Sequence, residues 1–187
     1  MNIKFTLALA SLGLSLFYIY VLVLLLNPAV SEQYQRYYIS RESRVSAAEL
    51  ASLKEIAPGE VLGFDSEKLA FDGWSNAEQE FRWSLGRSPS LHFALDDSVD
   101  AQRVRELVLR FRPLERQRVS IVINQQPVLA EEYSGSNIFE VSITVPAGLL
   151  RQGANTLQFE LPDARLPGNG DTRELGLALF SLRLKRA

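Results

Sequence analysis

The sequence contains no cysteine and a single histidine, His92, in 187 residues. The first absence excludes disulfides, thiolate catalysis and cysteine-ligated zinc, and is compatible with an oxidising compartment without requiring one. The second excludes a histidine cluster for metal within one chain. Neither charge is in large excess: 20 lysines and arginines stand against 22 acids, a net charge of -2. Nucleic-acid binding depends on clustered basic surface that neutralises phosphates. Here the arginines are dispersed and offset by nearby acids, so nucleic acid is set aside as a partner.

Hydrophobic residues make up 47% of the chain, enough for one domain with its own core after any membrane segment is removed. They are arranged in two ways. Phe5 to Leu26 ("FTLALASLGLSLFYIYVLVLLL") form an uninterrupted run without a charge. At ~1.5 Å of rise per residue, such a helix is long enough for the ~30 Å hydrocarbon core. Asn27-Pro28 ends it, since proline cannot continue a helix ladder. A cleaved signal peptide has a shorter apolar region, about 7–15 residues, and a small-residue cleavage site. Ala29 and Ser31 make a mediocre site, so residues 1–30 are read as an uncleaved N-terminal transmembrane anchor. Lys4 precedes the span and Arg36, Arg41 and Arg44 follow it, so charge bias alone does not place the C-terminal part outside. An outside location is expected because a short N-terminus before a long apolar run is how signal anchors begin.

Residues 31–58 read as a juxtamembrane stalk and a short amphipathic helix. Tyr34, Tyr37 and Tyr38 suit anchoring at lipid headgroups. Ser46 with Glu49 three residues on is a capping box. Leu50, Leu53 and Ile56 supply an apolar edge, and Pro58-Gly59 ends the element.

From residue 59 to 187 the hydrophobic period is two. Phe81, Trp83 and Leu85 alternate with Arg82 and Ser84, Leu91, Phe93 and Leu95 with His92 and Ala94, then Leu107, Leu109 and Phe111 with Val108 and Arg110. Val119, Ile121 and Ile123 follow, then Phe139, Val141, Ile143 and Val145, and then Leu157, Phe159 and Leu161. Alternation means one buried and one wet face, the pattern of antiparallel sheets. Turn signals at 124–127, 134–137, 148–155 and 162–170 separate the strands. The expected fold is all-β: an antiparallel jelly-roll β-sandwich behind one transmembrane helix and one short helix. In the last strand Leu175, Leu177 and Leu179 share a phase that Phe180, Leu182 and Leu184 reverse. A β-bulge near 179–180 would keep both sets inward; otherwise both faces are covered there.

"VPAGLLRQGANTLQFEL" (Val145–Leu161) resembles the helical turn, Gly-x-Asn and returning strand of jelly-roll domains with the galactose-binding-like fold. "RVSIVINQQPV" (Arg118–Val128) resembles the strand–turn–strand before it; Gln125 takes the position where such domains often have the glycine of Asn-Gly. "GWSNAEQEFRWSLG" with "GNGDTRELGLALFSLRL" resembles the extracytoplasmic β-jelly-roll domain of bacterial envelope-glycan transferases, among them membrane phosphoglycerol transferases and multi-pass glycosyltransferases. The matching positions are Gly73, Trp74, Glu78, Arg82, Trp83 and Gly86, then Asp171, Arg173, Leu175, Gly176 and Leu177. The resemblance spans about two thirds of the chain. It implies a fold and a cellular setting, and no catalytic residue, because the catalytic parts of those larger proteins lie elsewhere.

Trp74, in a turn setting after Asp72-Gly73, either stacks on a sugar ring or plugs one end of the sandwich. Trp83, in phase with Phe81 and Leu85, is read as core. Arg82 points the other way and either hydrogen-bonds a ligand or pairs with Glu78, Asp171 or Glu174, bracing the first motif against the last strand. Trp74, Glu78 and Arg82 are therefore the candidate ligand-binding residues; Trp83, Asp171, Arg173 and Glu174 are the candidate bracing residues. Glu78 and Glu80 lack the cleft that glycoside hydrolysis needs, and His92 on the wetter face has no visible partner. "PDARLPGNGDTRE" lacks the spacing of a recognised calcium loop, and Asp96, Asp97 and Asp100 are equally weak. No catalytic residue, metal or cofactor is assigned.

The expected role is non-catalytic: a single-pass protein of the bacterial inner membrane with a periplasmic domain. It would assist synthesis, export or modification of an envelope glycan by contacting the oligosaccharide, a multi-pass glycosyltransferase, or both. The alternative is a structural or assembly subunit of an inner-membrane complex acting through its transmembrane helix, where Gly13 with Ser11 and Ser15 offers a small-residue packing patch.

Overall fold

The computed structural model describes residues 3–26, 45–57, 59–95 and 104–186. Tyr34, Tyr37, Tyr38, Arg36, Arg41, Arg44, Pro28, Pro58, Asp96, Asp97 and Asp100 lie outside them. The chain divides into two units, Met1–Arg41 and Glu42–Ala187.

In the first unit the apolar run is helical, α1 (Ile3–Leu26). Most of its described apolar side chains, Leu12, Leu16 and Phe17 among them, are more than half exposed. Among the described residues, which omit several side chains of α1, no helix is long and apolar enough to cross a membrane.

The second unit starts at a capping box. Ser46 Oγ accepts from the Glu49 amide at 3.2 Å, and the Ser46 amide donates to Glu49 Oε2 at 2.7 Å, so two N-terminal amides are satisfied reciprocally. The helix it opens, α2 (Ala47–Ala51), is shorter than expected. The chain then extends as β1 (Glu55–Ile56) and pairs in parallel with β5 (Ser90–Leu95). That pairing buries Ile56 completely, in a place that suits a β-branched side chain better than a fraying helix end does.

The rest is two sheets face to face. The first also contains β3 (Leu69–Asp72), β7 (Gln117–Ile123), β8 (Gln126–Tyr133) and β10 (Gly153–Glu160), in the order β1-β5-β10-β7-β8, with β3 beside β1 on β5. The second contains β2 (Val61–Gly63), β4 (Arg82–Leu85), β6 (Val104–Pro113), β9 (Phe139–Thr144) and β11 (Leu175–Arg186), in the order β2-β11-β6-β9, with β4 beside β2 on β11. The two-residue alternation read from the sequence places the core. Leu91, Phe93, Ile121, Ile123, Leu157 and Phe159 of one sheet meet Leu107, Leu109, Phe111 and Ile143 of the other, all almost fully buried. Each such burial contributes about 1.5–3 kcal/mol, set against the entropy of ordering the chain.

Two irregularities in β11 decide which side chains leave the core. Against β6 the register shifts between Leu179 and Ser181, where the phase reversal predicts a bulge. Leu177, Leu179, Leu182 and Leu184 all stay buried, whereas Phe180 is the looped-out residue and is half-buried. Against β4 the register shifts between Leu175 and Ala178. There the fully buried Ser84 accepts from the amides of Gly176 and Leu177, at 3.0 and 2.9 Å, through its one Oγ. A Cβ on Gly176 would lie 2.7 Å from Leu161 Cδ1 and 3.1 Å from Ser84 Oγ, so a side chain under that bulge would have to displace Leu161 and crowd the Ser84 hydroxyl. Ser84 is thus the inward residue of β4, and Trp83 faces out. This corrects the expectation that Phe81, Trp83 and Leu85 line the core.

The β7–β8 hairpin closes through Asn124 and Gln125, with Ile123 paired to Gln126. Both turn residues have positive φ, 47° and 74°, as a two-residue turn matched to strand twist demands. Gln125 therefore adopts a conformation that favours glycine. Gln125→Gly is expected to stabilise the domain by about 0.5 kcal/mol, the relief of strain exceeding the added unfolded-state entropy. Thermal unfolding should show a rise of roughly 1–2 °C.

Candidate binding groove on the outer face of the second sheet

Trp83 on β4, Ala178 on β11 and Arg112 on β6 lie in one cross-strand row. The central residue is small and fully buried, so the two large side chains on either side close over it. The Arg112 guanidinium carbon stands 5.2 Å from the Phe81 ring centroid, 5.8 Å from Trp83 and 5.9 Å from Phe180. Phe81 in turn meets Trp83 edge-on at 5.6 Å and Phe180 at 5.4 Å. A guanidinium over several ring faces is held by their quadrupoles, and all four side chains are half-buried.

This cluster borders a groove of about 620 Å³. The groove is also lined by Pro113 at the end of β6, by the turn after it (Leu114, Glu115, Arg116) and by Gly135 and Ser136 of the β8–β9 loop. The two loops are joined: the Gly135 amide donates to the Glu115 carbonyl at 3.3 Å, and the Leu114 amide to the Gly176 carbonyl at 2.7 Å. Glu115 holds φ at 58°, a left-handed conformation that costs a non-glycine residue about 1–2 kcal/mol. Arg165 pairs with Glu115 at 3.0 Å and Arg116 with Glu132 at 2.7 Å. These contacts tie the loops of the groove wall to one another and to β8 and β11.

The residues that the sequence offers as a ligand face lie elsewhere. Trp74 is 3% exposed, its Nε1 donates to the Ser90 carbonyl at 2.9 Å, and it meets Phe159 edge-on at 5.3 Å. It is the plug of the two alternatives, held inward because Gly73 turns with φ 72° against Pro89. Arg82 donates to the carbonyls of Phe64 (2.6 Å) and Ser75 (3.0 Å) and lies 4.5 Å over Phe71. The link expected between the two motifs exists, but Arg173 makes it. Its fork grips Asp171 at 2.7–3.0 Å and reaches Glu78 Oε1 at 3.1 Å. The Arg173 guanidinium holds the Asp171 carboxyl below its usual range. Glu174 pairs with Arg87 at 2.9 Å. Glu78 is half-buried in this brace and Glu80 is exposed, so the two do not share a cleft.

Among the described residues no three acids or histidines are placed to hold a metal ion. His92 faces Thr156 at 3.0 Å and Ser90 at 3.4 Å. Burial pushes its pKa below the ordinary value, against an opposing pull from Asp72. Because the folded chain resists protonation that the unfolded chain accepts near pH 6.5, stability falls as pH drops below about 6.5. Denaturant midpoints from pH 7 to 5.5 should decline less in His92→Gln than in the parent protein. The groove can stack on a planar or apolar ligand face and donate hydrogen bonds from Arg112. Sequence reasoning missed Arg112 because it lies in an outward position of β6 and the rings around it, Phe81, Trp83 and Phe180, come from distant stretches of the chain.

No protein-family model matches the chain, and no curated protein matches it. Solved structures do, at low identity. One is the CBM36-1 domain of a multidomain xylanase from the hindgut metagenome of Trinervitermes trinervoides, 14% identical, with a TM-score of 0.46, covering 68% of this chain and 97% of that one. Another is CBM35 from Paenibacillus barcinonensis, 13% identical, TM-score 0.44, covering 69% and 100%. A third is carbohydrate-binding module CBM36 in complex with calcium and xylotriose, 10% identical, TM-score 0.44, covering 67% and 99%. The two-sheet sandwich is established by the domain's own strand pairing. At these identities and TM-scores the solved structures bring neither a family nor a ligand residue to this chain.

Proposed function

We propose that this chain is a non-catalytic, membrane-anchored accessory protein of the bacterial envelope whose β-sandwich binds an oligosaccharide in the groove beside Trp83. The observation that carries the reading is the groove itself. A half-buried tryptophan and two phenylalanines are held on an outer sheet face, next to loops tied to one another. Sugar rings present apolar C–H faces with polar rims, and an indole beside a hydrogen-bond donor complements both. Anchoring is supported by the uncharged Phe5–Leu26 run and its helical backbone, and a periplasmic domain would place the groove where envelope glycans are handled. A multi-pass glycosyltransferase is the protein partner we propose, on the resemblance of the two motifs.

The full chain in detergent micelles should bind oligosaccharides on an envelope-glycan array. Trp83→Ala should weaken that binding about tenfold or more while costing less than the ~3–5 kcal/mol of a fully buried aromatic, because the side chain is only half-buried. Binding unchanged by that substitution, or an array with no bound oligosaccharide, overturns the reading. Cell fractionation with protease treatment of spheroplasts tests the location: the C-terminal domain should pellet with membranes and be digested from outside.

A further inference from the structure

We propose that the oligosaccharide taken by this groove is anionic, and that its carboxylate, phosphate or sulfate group pairs with Arg112. The inference rests on the reading of the groove as a glycan site and adds the charge of the ligand.

The charges around the groove fall into two kinds. Glu115 is matched by Arg165 and Glu132 by Arg116, each at hydrogen-bond distance. Those pairs cancel. Arg112 makes no ion pair among the described residues; its contacts there are the rings of Phe81, Trp83 and Phe180. On the same strand, two residues back, Arg110 pairs with Glu140 at 3.9 Å. One net positive charge therefore stands in the groove wall, half-buried and with its donors uncommitted to a carboxylate.

A structural role alone does not account for that arrangement. Ring faces hold the guanidinium in position but accept none of its N–H groups as a carboxylate would. A partly desolvated guanidinium in a concave site gains most from a planar or tetrahedral oxyanion, which takes two parallel hydrogen bonds. The rings around it also fix the fork before binding, so little rotamer entropy is lost when an anion arrives. Trp83 lies in the same row, one strand away across Ala178. A sugar stacked on the indole can thus present a substituent on its ring to Arg112.

The test uses the full chain in detergent micelles and three probes of matched length: a neutral glucan trisaccharide, a galacturonate trisaccharide and a phosphoglycerol-substituted glucan trisaccharide. Titration calorimetry is run at low and moderate salt on the parent protein, Arg112→Gln and Trp83→Ala. Binding of one or both anionic probes at least tenfold tighter than the neutral one, with that preference abolished in Arg112→Gln, supports the proposal. The expected tenfold or greater step is the one a charge-assisted hydrogen bond of about 1.5–3 kcal/mol supplies. Which anionic probe binds tighter separates a sugar carboxylate from a phosphate substituent. Equal binding of all three, lost in Trp83→Ala and kept in Arg112→Gln, overturns the charge inference and leaves the glycan reading standing. Failure of every probe overturns both. A melting temperature for Arg112→Gln within a few degrees of the parent's shows that a lost preference is not lost folding; where Arg112→Gln unfolds, Arg112→Lys replaces it, and loss of the two-donor fork should still cut the preference.

Discussion

Trp74→Ala is expected to destabilise the domain by about 3–5 kcal/mol, the range for truncating a buried aromatic. The indole is 3% exposed and meets Phe71 at 6.1 Å and Phe159 at 5.3 Å, both edge-on. Alanine there would leave a cavity between the sheets and the Ser90 carbonyl without its 2.9 Å donor. The neighbours cannot collapse into the space easily. Gly73 is locked at positive φ, and a Cβ on it would already meet Pro89 Cα at 3.1 Å. Chemical denaturation of the full chain should show the midpoint falling with little change in slope. A variant that keeps the parent's midpoint but loses oligosaccharide binding would mean that Trp74 is a contact residue and that the domain opens to expose it.

Asn155→Ala should cost about as much, roughly 3–5 kcal/mol, although it removes far less apolar area. Asn155 is 1% exposed and all its polar capacity is used. Its Oδ1 accepts from the Arg151 amide at 2.9 Å and Asn124 Nδ2 at 2.8 Å. Its Nδ2 donates to the carbonyls of Arg151 at 2.7 Å and Gly153 at 2.9 Å. Asn124 carries the connection onward, donating to the Leu149 carbonyl and accepting from the Thr156 amide. One side chain therefore ties the turn before β10 to the β7–β8 hairpin. Deleting it strands several buried groups at about 1–3 kcal/mol each, less what water entry restores. Asn155→Asp separates shape from chemistry. It keeps the acceptor and loses two donors, so it should be nearly as damaging. A midpoint for Asn155→Ala within 1 kcal/mol of the parent's would show that water replaces the amide.

These two residues show how legibility differed along the chain. Asn155 stood out in the sequence as the last residue of Gly-x-Asn before a strongly alternating strand. Its role is local: most of its partners lie within four residues, so a motif can carry it. Trp74 could be read two ways, because a turn setting is compatible with either side of the sheet. The tertiary structure settled it through Pro89 and the Ser90 carbonyl, which reach Trp74 from the start of β5, the strand paired with β3.

What the sequence by itself determined was the periodic part. Alternation from Leu91 to Leu161 placed β5, β6, β7, β9 and β10 and the centre of the core, because a period of two leaves one face of each strand apolar. It did not place β1, β2, β3 or β8. The phase reversal in β11 located its bulge, and Ser46 with Glu49 located a helix start. What only the tertiary structure decided was the direction of short segments and the company kept across strands. In "FRWSL" alternation implies two faces but not which is inner. Two amide groups at the β11 bulge needed a small buried acceptor, so Ser84 turned in and Trp83 turned out. That reversal brought Trp83 beside Arg112, a residue 29 positions away in sequence and one intervening strand away in space. Likewise Arg173, not Arg82, reached Glu78, because side-chain reach across a loop depends on backbone placement that no spacing rule encodes.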